Sequence, residues 1–169
     1  MSKRQLSPTE AFELRQALHI ATLDALMASQ RWNPGELVFQ GGTSLHLAHG
    51  SPRFSEDLDF LVSDSLNLAP IAASVCERLS DLGWLPDDAA LTVGKTRDGR
   101  NPYSFVVSIG GENIIGSVRV KVELWQTNGR ILSGLQVVVA PVRLARGALA
   151  GMQTFVPTAE LAEIHADKV

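Results

Sequence analysis

The sequence has almost no cysteine, and this scarcity excludes two classes of small protein. Cys76 is the only cysteine among the 169 residues. A single thiol can form neither an internal disulfide nor a cysteine-based zinc site. The chain is therefore not a disulfide scaffold, and we expect it to reside in the reducing cytoplasm.

Long apolar runs are also missing. No stretch of about 18 consecutive apolar residues occurs, and no apolar segment follows the basic residues Lys3 and Arg4. We therefore expect neither a membrane span nor a secretory signal. Hydrophobic residues make up 45% and charged residues 20% of the chain, a composition typical of globular proteins. At this length we expect one domain over residues 1–169.

Two familiar nucleotide-binding motifs are absent as well. Gly94-Lys95-Thr96 has the form of the end of a P-loop, but Ala89 stands where that motif requires glycine. No G-x-G-x-x-G pattern follows a predicted strand, which disfavours a dinucleotide-binding fold.

Charge is distributed unevenly along the chain. Residues 1–94 contain six basic and twelve acidic residues, whereas residues 95–146 contain eight basic and three acidic ones. The net charge of −3 argues against a general nucleic-acid coat. The division suits a carboxylate site beside a surface that accepts a polyanion. Charge alone favours a simpler interpretation, in which these residues lie on solvated strand faces.

The order of the predicted elements indicates an α+β fold with a mixed or antiparallel sheet packed with helices. The N-terminal helix is predicted over residues 7–30, with Ser7 as its cap and Pro8 in its first turn. Further helices are predicted over 43–49 and 68–82 and from residue 161 onward, and strands over 37–39, 57–62, 90–96, 103–109, 118–124 and 136–142.

Two aspartates separated by one residue lie in the predicted strand 57–62. Asp57 and Asp59 should point to the same side, because side chains alternate along a strand. Two adjacent carboxylates repel each other unless a cation lies between them. Their oxygens suit Mg²⁺, which also binds substrate phosphates. The pattern therefore predicts a metal site, although such pairs also occur on exposed strands without any function.

A glycine pair precedes this strand. Gly41-Gly42-Thr43 forms a turn at the start of a predicted helix, where backbone N–H groups and the positive helix end can bind phosphates. The hydroxyls of Thr43 and Ser44 can add hydrogen-bond donors. A phosphate cradle and a metal pair in one strand–helix–strand unit suit nucleotidyl transfer, in which metal ions activate the attacking oxygen and stabilise the leaving pyrophosphate.

A third carboxylate would complete this site. The predicted strand 118–124 alternates strictly, so Glu123 shares a charged face with Arg119 and Lys121. If this strand neighbours the two aspartates, Glu123 joins them, and Lys121 neutralises the cluster or contacts phosphate. A solvated strand face remains the alternative.

These segments resemble the nucleotidyltransferase signature of the AbiEii/AbiGii abortive-infection toxins, which belong to the DNA-polymerase-β-like superfamily. The resemblance is carried by Gly-Gly-Thr-Ser-Leu at 41–45 and Arg-Phe-Ser-Glu-Asp-Leu-Asp-Phe at 53–60. Residues 120–123 are similar to the family's later strand with its third acidic residue. Residues 160–169 resemble the segment with the family's catalytic lysine, which corresponds to Lys168. No motif between residues 65 and 115 matches.

The resemblance implies a polymerase-β-like catalytic core over residues 37–142. In the family, the lysine helix continues into a helical region with a further Arg-Asp-x-x-Asp motif. Residues 158–169 are therefore expected to be the start of a truncated helical part. The resemblance also implies a toxin that binds a nucleoside triphosphate, transfers nucleotides to an RNA acceptor such as tRNA, and has a cognate antitoxin.

The resemblance further assigns roles to individual residues. Asp57 and Asp59 are expected to hold Mg²⁺ or Mn²⁺ and to be catalytic together with Glu123 and Lys168. Arg53 would neutralise triphosphate charge, or would instead pair structurally with Asp57 or Glu56. The basic stretch 95–146 would face RNA. The expected nucleotide-binding residues are Gly41, Gly42, Thr43, Ser44, Arg53, Ser55 and Lys121.

Two other functions remain open at this point. The chain could transfer a nucleotide to a small hydroxylated molecule, as antibiotic nucleotidyltransferases do, and assays without RNA would show this. It could also be a non-catalytic module that binds a nucleotide or a partner, in which case a nucleoside triphosphate binds without release of pyrophosphate.

Overall fold

The computed structural model describes residues 2–80, 83–94 and 100–166. The predicted α+β class is confirmed: this part of the chain has nine strands and five helices, and seven of the strands form a mixed sheet packed with helices. The strands are β1 (Arg4–Gln5), β2 (Leu37–Gln40), β3 (Leu58–Ser63), β4 (Ala90–Val93), β5 (Tyr103–Gly110), β6 (Ile114–Ile115), β7 (Val118–Thr127), β8 (Val137–Arg143) and β9 (Gln153–Ala159). The helices are α1 (Pro8–Ala28), α2 (Gly41–His49), α3 (Leu68–Ser80), α4 (Gly129–Gly134) and α5 (Leu161–Ala166).

Seven strands form one mixed sheet in the order β4-β5-β7-β3-β2-β9-β8. The central strand β3 is antiparallel to β2 and parallel to β7. Strands β1 and β6 form a separate parallel pair. Both edges of β3 are therefore hydrogen-bonded, and the aspartate segment lies in the middle of the sheet.

One face of the sheet forms the main hydrophobic core against α1 and α3. Leu58, Phe60 and Val62 of β3 are fully buried there, and Phe60 stacks on Phe39 of β2 with ring centroids 5.1 Å apart. Complete burial of such a side chain stabilises a fold by roughly 1.5–3 kcal/mol. Because side chains alternate, Asp59 must lie on the opposite face.

The helix boundaries follow from local chemistry. The hydroxyl of Ser7 accepts a hydrogen bond from the backbone N–H of Glu10 at 3.1 Å and caps α1, as predicted. Helix α2 begins at Gly41, two residues before the predicted start. It ends at Gly50, whose φ of +70° is a left-handed conformation that favours glycine.

The structure adds elements that the pattern did not predict, notably α4 and β9. In β9, Thr154 and Thr158 face the core beside Val156, whereas Phe155 is exposed. This arrangement reverses the usual alternation of buried apolar and exposed polar residues, so the sequence pattern does not indicate a strand. The sheet consequently extends to Ala159, beyond residue 142 at which the predicted catalytic core ends. Strands β1 and β6 were also not predicted.

Some predicted boundaries lie outside the described residues. These are residues 81–82 of the third predicted helix and 95–96 of the strand that begins at Ala90. Among the helices of the described part, none is long and apolar enough to cross a membrane.

Candidate active site

Asp59 lies on β3 at the centre of the sheet, on the face opposite the hydrophobic core. The prediction placed Asp57 within this strand, but the strand begins at Leu58, so Asp57 directly precedes it. Both aspartates are partly buried. They stand close enough for the charge of Asp57 to act on the carboxyl group of Asp59.

Glu123 stands beside Asp59 on the neighbouring strand. The parallel pairing of β3 and β7 sets Asp59 opposite Glu123, so both side chains share one face of the sheet. The Glu123 side chain is only 15% exposed and forms an ion pair with Lys121, two residues earlier on the same face. The sequence places Glu123 beside the aspartates only on the condition that the two strands are neighbours. The structure meets this condition, since β3 pairs with β7.

The carboxylates repel one another. Burial, followed by the negative charges of Glu123 and Asp57, raises the pKa of Asp59 to about 6, while Lys121 partly opposes this rise. The hydrogen bond to Glu123 raises the pKa of Lys121. One ammonium group therefore faces three carboxylates, and this excess of negative charge would favour a bound cation.

Gly41 brings the start of α2 directly against Asp59. Its φ is +81°, and a Cβ atom added there would lie 2.8 Å from Oδ2 and 3.3 Å from Cβ of Asp59. A side chain at this position would therefore be strained and would displace the carboxylate. Gly42 is almost as constrained, since an added Cβ would lie 3.1 Å from both Cβ and Oγ of Ser55.

The first turn of α2 offers backbone donors beside this cluster. The N–H groups of a helix's first turn have no acceptor within the helix, and they carry its positive partial charge. The hydroxyl of Thr43 donates to the carbonyl of Asp57, and the hydroxyl of Ser44 donates to the carbonyl of Gly41 at 2.7 Å. Both residues are fully buried, so their hydroxyl protons hold the turn together and do not point to solvent.

A small pocket of about 180 Å³ adjoins the start of α2. It brings together Gly42, Arg53 and Ser55, three of the residues predicted to bind nucleotide. Arg53 is exposed, and among the described residues no carboxylate forms an ion pair with it. Glu56 pairs instead with Arg15, at 3.6 Å. Lys168 lies outside the described residues.

His19 of α1 supports the segment before Asp57, and nothing in the sequence indicated this role. Its ring is buried, and Nε2 lies 2.8 Å from the backbone carbonyl of Glu56. Burial lowers the pKa of His19 to about 4. In the sequence, a histidine on an apolar helix face is indistinguishable from an ordinary packed residue. Its contact with the segment before Asp57 can be recognised only in the structure.

The donor chemistry fits a hard divalent cation, although the cluster is not arranged around one. In the part of the chain that the structure describes, no three His, Cys, Asp or Glu side chains form a ready-made metal-binding group. The available atoms are carboxylate oxygens, which Mg²⁺ and Mn²⁺ prefer. The Lys121 ammonium holds Glu123, which leaves Asp57 and Asp59 as the candidate ligands.

Solved structures with the same fold include two that are named as nucleotidyltransferases. JHP933 from Helicobacter pylori is 20% identical with a TM-score of 0.60, and the match covers 96% of this chain and 57% of that one. A putative nucleotidyltransferase from H. pylori is 21% identical with a TM-score of 0.59, covering 96% and 59%. MenT4, a nucleotidyltransferase toxin from Mycobacterium tuberculosis, is 23% identical with a TM-score of 0.64, covering 92% and 51%. The chain thus spans between 51% and 59% of the length of these proteins.

The family assignment comes from the sequence. A search of curated proteins finds no match. The profile described as "Nucleotidyl transferase AbiEii toxin, Type IV TA system" matches residues 24–169, which is most of the chain and includes the carboxylate cluster and α2. The chain belongs to the AbiEii family of nucleotidyl transferase toxins from type IV toxin–antitoxin systems.

Proposed function

We propose that residues 1–169 form a single nucleotidyltransferase domain of a toxin, which transfers a nucleotide from a nucleoside triphosphate to an RNA acceptor such as tRNA. The observation that carries this proposal is the contact between Gly41 and Asp59. This contact joins an anion-binding helix end to a carboxylate cluster, and transfer of a phosphoryl group needs both features at one place.

Asp57 and Asp59 are the proposed ligands of Mg²⁺ or Mn²⁺. A bound divalent ion would polarise the α-phosphate and lower the pKa of the attacking hydroxyl. The protein's own contribution is to hold the two carboxylates side by side, with Asp57 directly before β3 and Asp59 within it. After burial and the charge of Glu123, the charge of Asp57 is a further cause of the raised pKa of Asp59, and a bound cation would relieve this repulsion.

The proposed triphosphate site is the first turn of α2 with its adjoining pocket. Backbone N–H groups of Gly41, Gly42 and Thr43 would donate to phosphate oxygens, since the hydroxyls of Thr43 and Ser44 donate within the protein. Ser44 would support this turn from within the helix. Arg53 and Ser55 line the pocket beside Gly42 and would bind the outer phosphates. Lys168, on the segment after α5, is proposed to neutralise further phosphate charge.

The reaction is an in-line displacement at the α-phosphorus. The oxygen of the acceptor hydroxyl forms a bond to phosphorus while the bond to the bridging oxygen of pyrophosphate breaks. Glu123 is the proposed acceptor of the hydroxyl proton, and its position next to Asp59 supports this role. Lys121, which pairs with Glu123, would hold this carboxylate in position or contact phosphate. The negative pyrophosphate leaves towards Arg53.

The cellular setting is proposed from the family. A type IV system pairs the toxin with a cognate antitoxin, and a toxin that uses nucleoside triphosphates and tRNA would act in the cytoplasm.

The test is label transfer. The unaltered chain, with Mg²⁺ and each α-³²P-labelled nucleoside triphosphate in turn, should label an RNA preparation that contains tRNA. Asp59→Asn should reduce the labelling by about three orders of magnitude, since it removes one metal ligand at the reacting centre. The matched control is Asp64→Asn, an exposed aspartate just after β3, which should label RNA normally.

Other outcomes would favour the other functions. Labelling that persists in Asp59→Asn contradicts the proposed site. Labelling of small hydroxylated acceptors in the absence of RNA identifies a small-molecule nucleotidyltransferase. Calorimetric binding of a nucleoside triphosphate without any release of pyrophosphate identifies a non-catalytic module.

A further inference from the structure

A shallow trough crosses strands β4, β5 and β7 on the same sheet face as Asp59. It encloses about 470 Å³, and its lining includes Ala90, Thr92, Ser108, Gly110, Ser117 and Arg119. We propose that this trough binds the sugar–phosphate backbone of a single-stranded RNA end and thereby delivers the acceptor hydroxyl to Glu123. The inference rests on the proposed function and names the surface that selects the acceptor.

The direction of the reaction places the acceptor on this side. In an in-line displacement, the attacking oxygen approaches opposite the leaving group. The pocket with Arg53 adjoins α2, which follows β2 on one side of β3. Strands β7, β5 and β4 lie on the other side of β3. The acceptor must therefore approach over Glu123, on the side of β3 where the trough lies. The lining residue nearest to Glu123 along β7 is Arg119, four residues earlier.

The trough and the carboxylate cluster lie on one face of β7. Arg119, Lys121 and Glu123 alternate on one face, so the Cα atoms of Arg119 and Glu123 lie about 13 Å apart at the usual rise of a strand. Across the pairing with β5, Ser108 stands opposite Arg119 and Ser104 stands opposite Glu123. Between these two pairs, Val106 stands opposite Lys121, so a second basic side chain lies on the path from Arg119 to the site.

The chemistry of this surface suits a phosphate backbone better than bases. Small side chains leave room for a chain to lie close to the sheet, and the lining residues named above include no aromatic ring on which a base could stack. Arg119 is exposed, and no described carboxylate lies within 4.0 Å of its guanidinium nitrogens. Arg119 is therefore available to contact a phosphate.

One acidic residue in the lining allows a substitution with the opposite expected effect on RNA binding. Glu112 follows β5 at the end remote from Glu123, so its charge would repel an RNA strand lying in the trough. Replacing Glu112 with lysine should strengthen RNA binding, while replacing Arg119 with glutamate should weaken it. A surface with no role in RNA binding would show neither effect.

The experiment compares three charge changes in the full chain. Arg119→Glu should raise the KM for RNA about tenfold or more, with kcat and calorimetric affinity for the nucleoside triphosphate changed less than about twofold, because acceptor phosphate contacts are remote from the triphosphate. Glu112→Lys should lower the KM for RNA. The control is Arg78→Glu, which reverses an exposed charge on α3 behind the sheet. Thermal melts check that all variants are folded.

Direct RNA binding is measured in parallel, by fluorescence anisotropy of a labelled single-stranded oligonucleotide at several salt concentrations. Loss of one phosphate contact in Arg119→Glu should make the slope of log K against log salt less steep by about 0.7. If the unaltered chain transfers label and Arg119→Glu behaves like Arg78→Glu in both assays, the trough is refuted and the proposed function stands. If the unaltered chain labels no acceptor, the proposed function fails. The anisotropy difference between these two variants then still supports or refutes RNA binding in the trough.

Discussion

A methyl group added at Gly41 would strain the backbone and also disturb the site, and a control variant can separate these two effects. In Gly41→Ala, the φ of +81° imposes a left-handed conformation that costs an alanine about 1–2 kcal/mol. The new Cβ would also stand 2.8 Å from Oδ2 of Asp59. Restoring an ordinary contact of 3.4 Å requires the carboxylate to move by about 0.6 Å.

Gly50→Ala is the matched control. Gly50 has a φ of +70°, and a methyl group added there would have no heavy atom within 4 Å, so its substitution adds strain without displacing any group. Both variants should therefore lose about 1–2 kcal/mol of unfolding free energy and remain folded, because domains have total stabilities of about 5–15 kcal/mol.

Nucleotide transfer should distinguish the two variants. A displacement of about 1 Å at a reacting group can cost a hundredfold in rate, so a shift of about 0.6 Å should lower kcat/KM for Gly41→Ala by about tenfold to a hundredfold. Gly50→Ala should retain normal transfer. Urea unfolding measures the stabilities, and the labelling assay measures transfer. Equal transfer by both variants would refute the contact between Gly41 and Asp59 as the organising feature of the site.

Two further predictions concern the supports of the site. Thr43→Val leaves the carbonyl of Asp57 without the hydroxyl that donates to it, so it should cost about 1–3 kcal/mol of unfolding free energy and also reduce transfer. Thr22→Val should cost less and leave transfer intact, because the hydroxyl of Thr22 bonds to a carbonyl within α1 that also accepts a helical hydrogen bond. The pKa of His19 is about 4 in the folded chain because of burial, and near 6.5 when unfolded. Above pH 6.5 the ring is neutral in both states; as the pH falls towards 4, the unfolded state binds the proton, and about 3 kcal/mol of stability is lost. Chemical denaturation of His19→Gln between pH 7 and 4 should lack this part of the pH dependence, and an unchanged profile would show that His19 does not titrate in this way.

Local patterns predicted most elements of the fold. Apolar residues at helical spacing indicated α1 and α3, and strict alternation indicated β7, whose buried residues are Val118, Val120, Val122 and Leu124. These patterns succeed because each element buries one face, and burial imposes its period on the sequence. Strand β9 and helix α4 were not predicted, because β9 buries threonine and exposes Phe155, and α4 buries only Leu132.

The candidate site likewise has features that the sequence could predict and features that it could not. The glycine pair and the Asp57–Asp59 spacing are adjacent in sequence, so their association in one strand–helix–strand unit could be predicted. The position of Glu123 could not, because it depends on the pairing of β3 with β7 across more than sixty residues of chain. The internal hydrogen bonds of Thr43 and Ser44 likewise depend on folding, since a hydroxyl is a donor to whichever acceptor the fold provides.

The sequence by itself determined which chemical groups the protein carries and how its elements begin, end and alternate, because capping, periodicity and glycine conformations are short-range effects. Tertiary structure alone decided that Glu123 lies beside Asp59 and that the start of a helix touches the same carboxylate. Strand order and register produce these contacts. They are set by burial of the whole sheet against α1 and α3 and leave no mark at any single position.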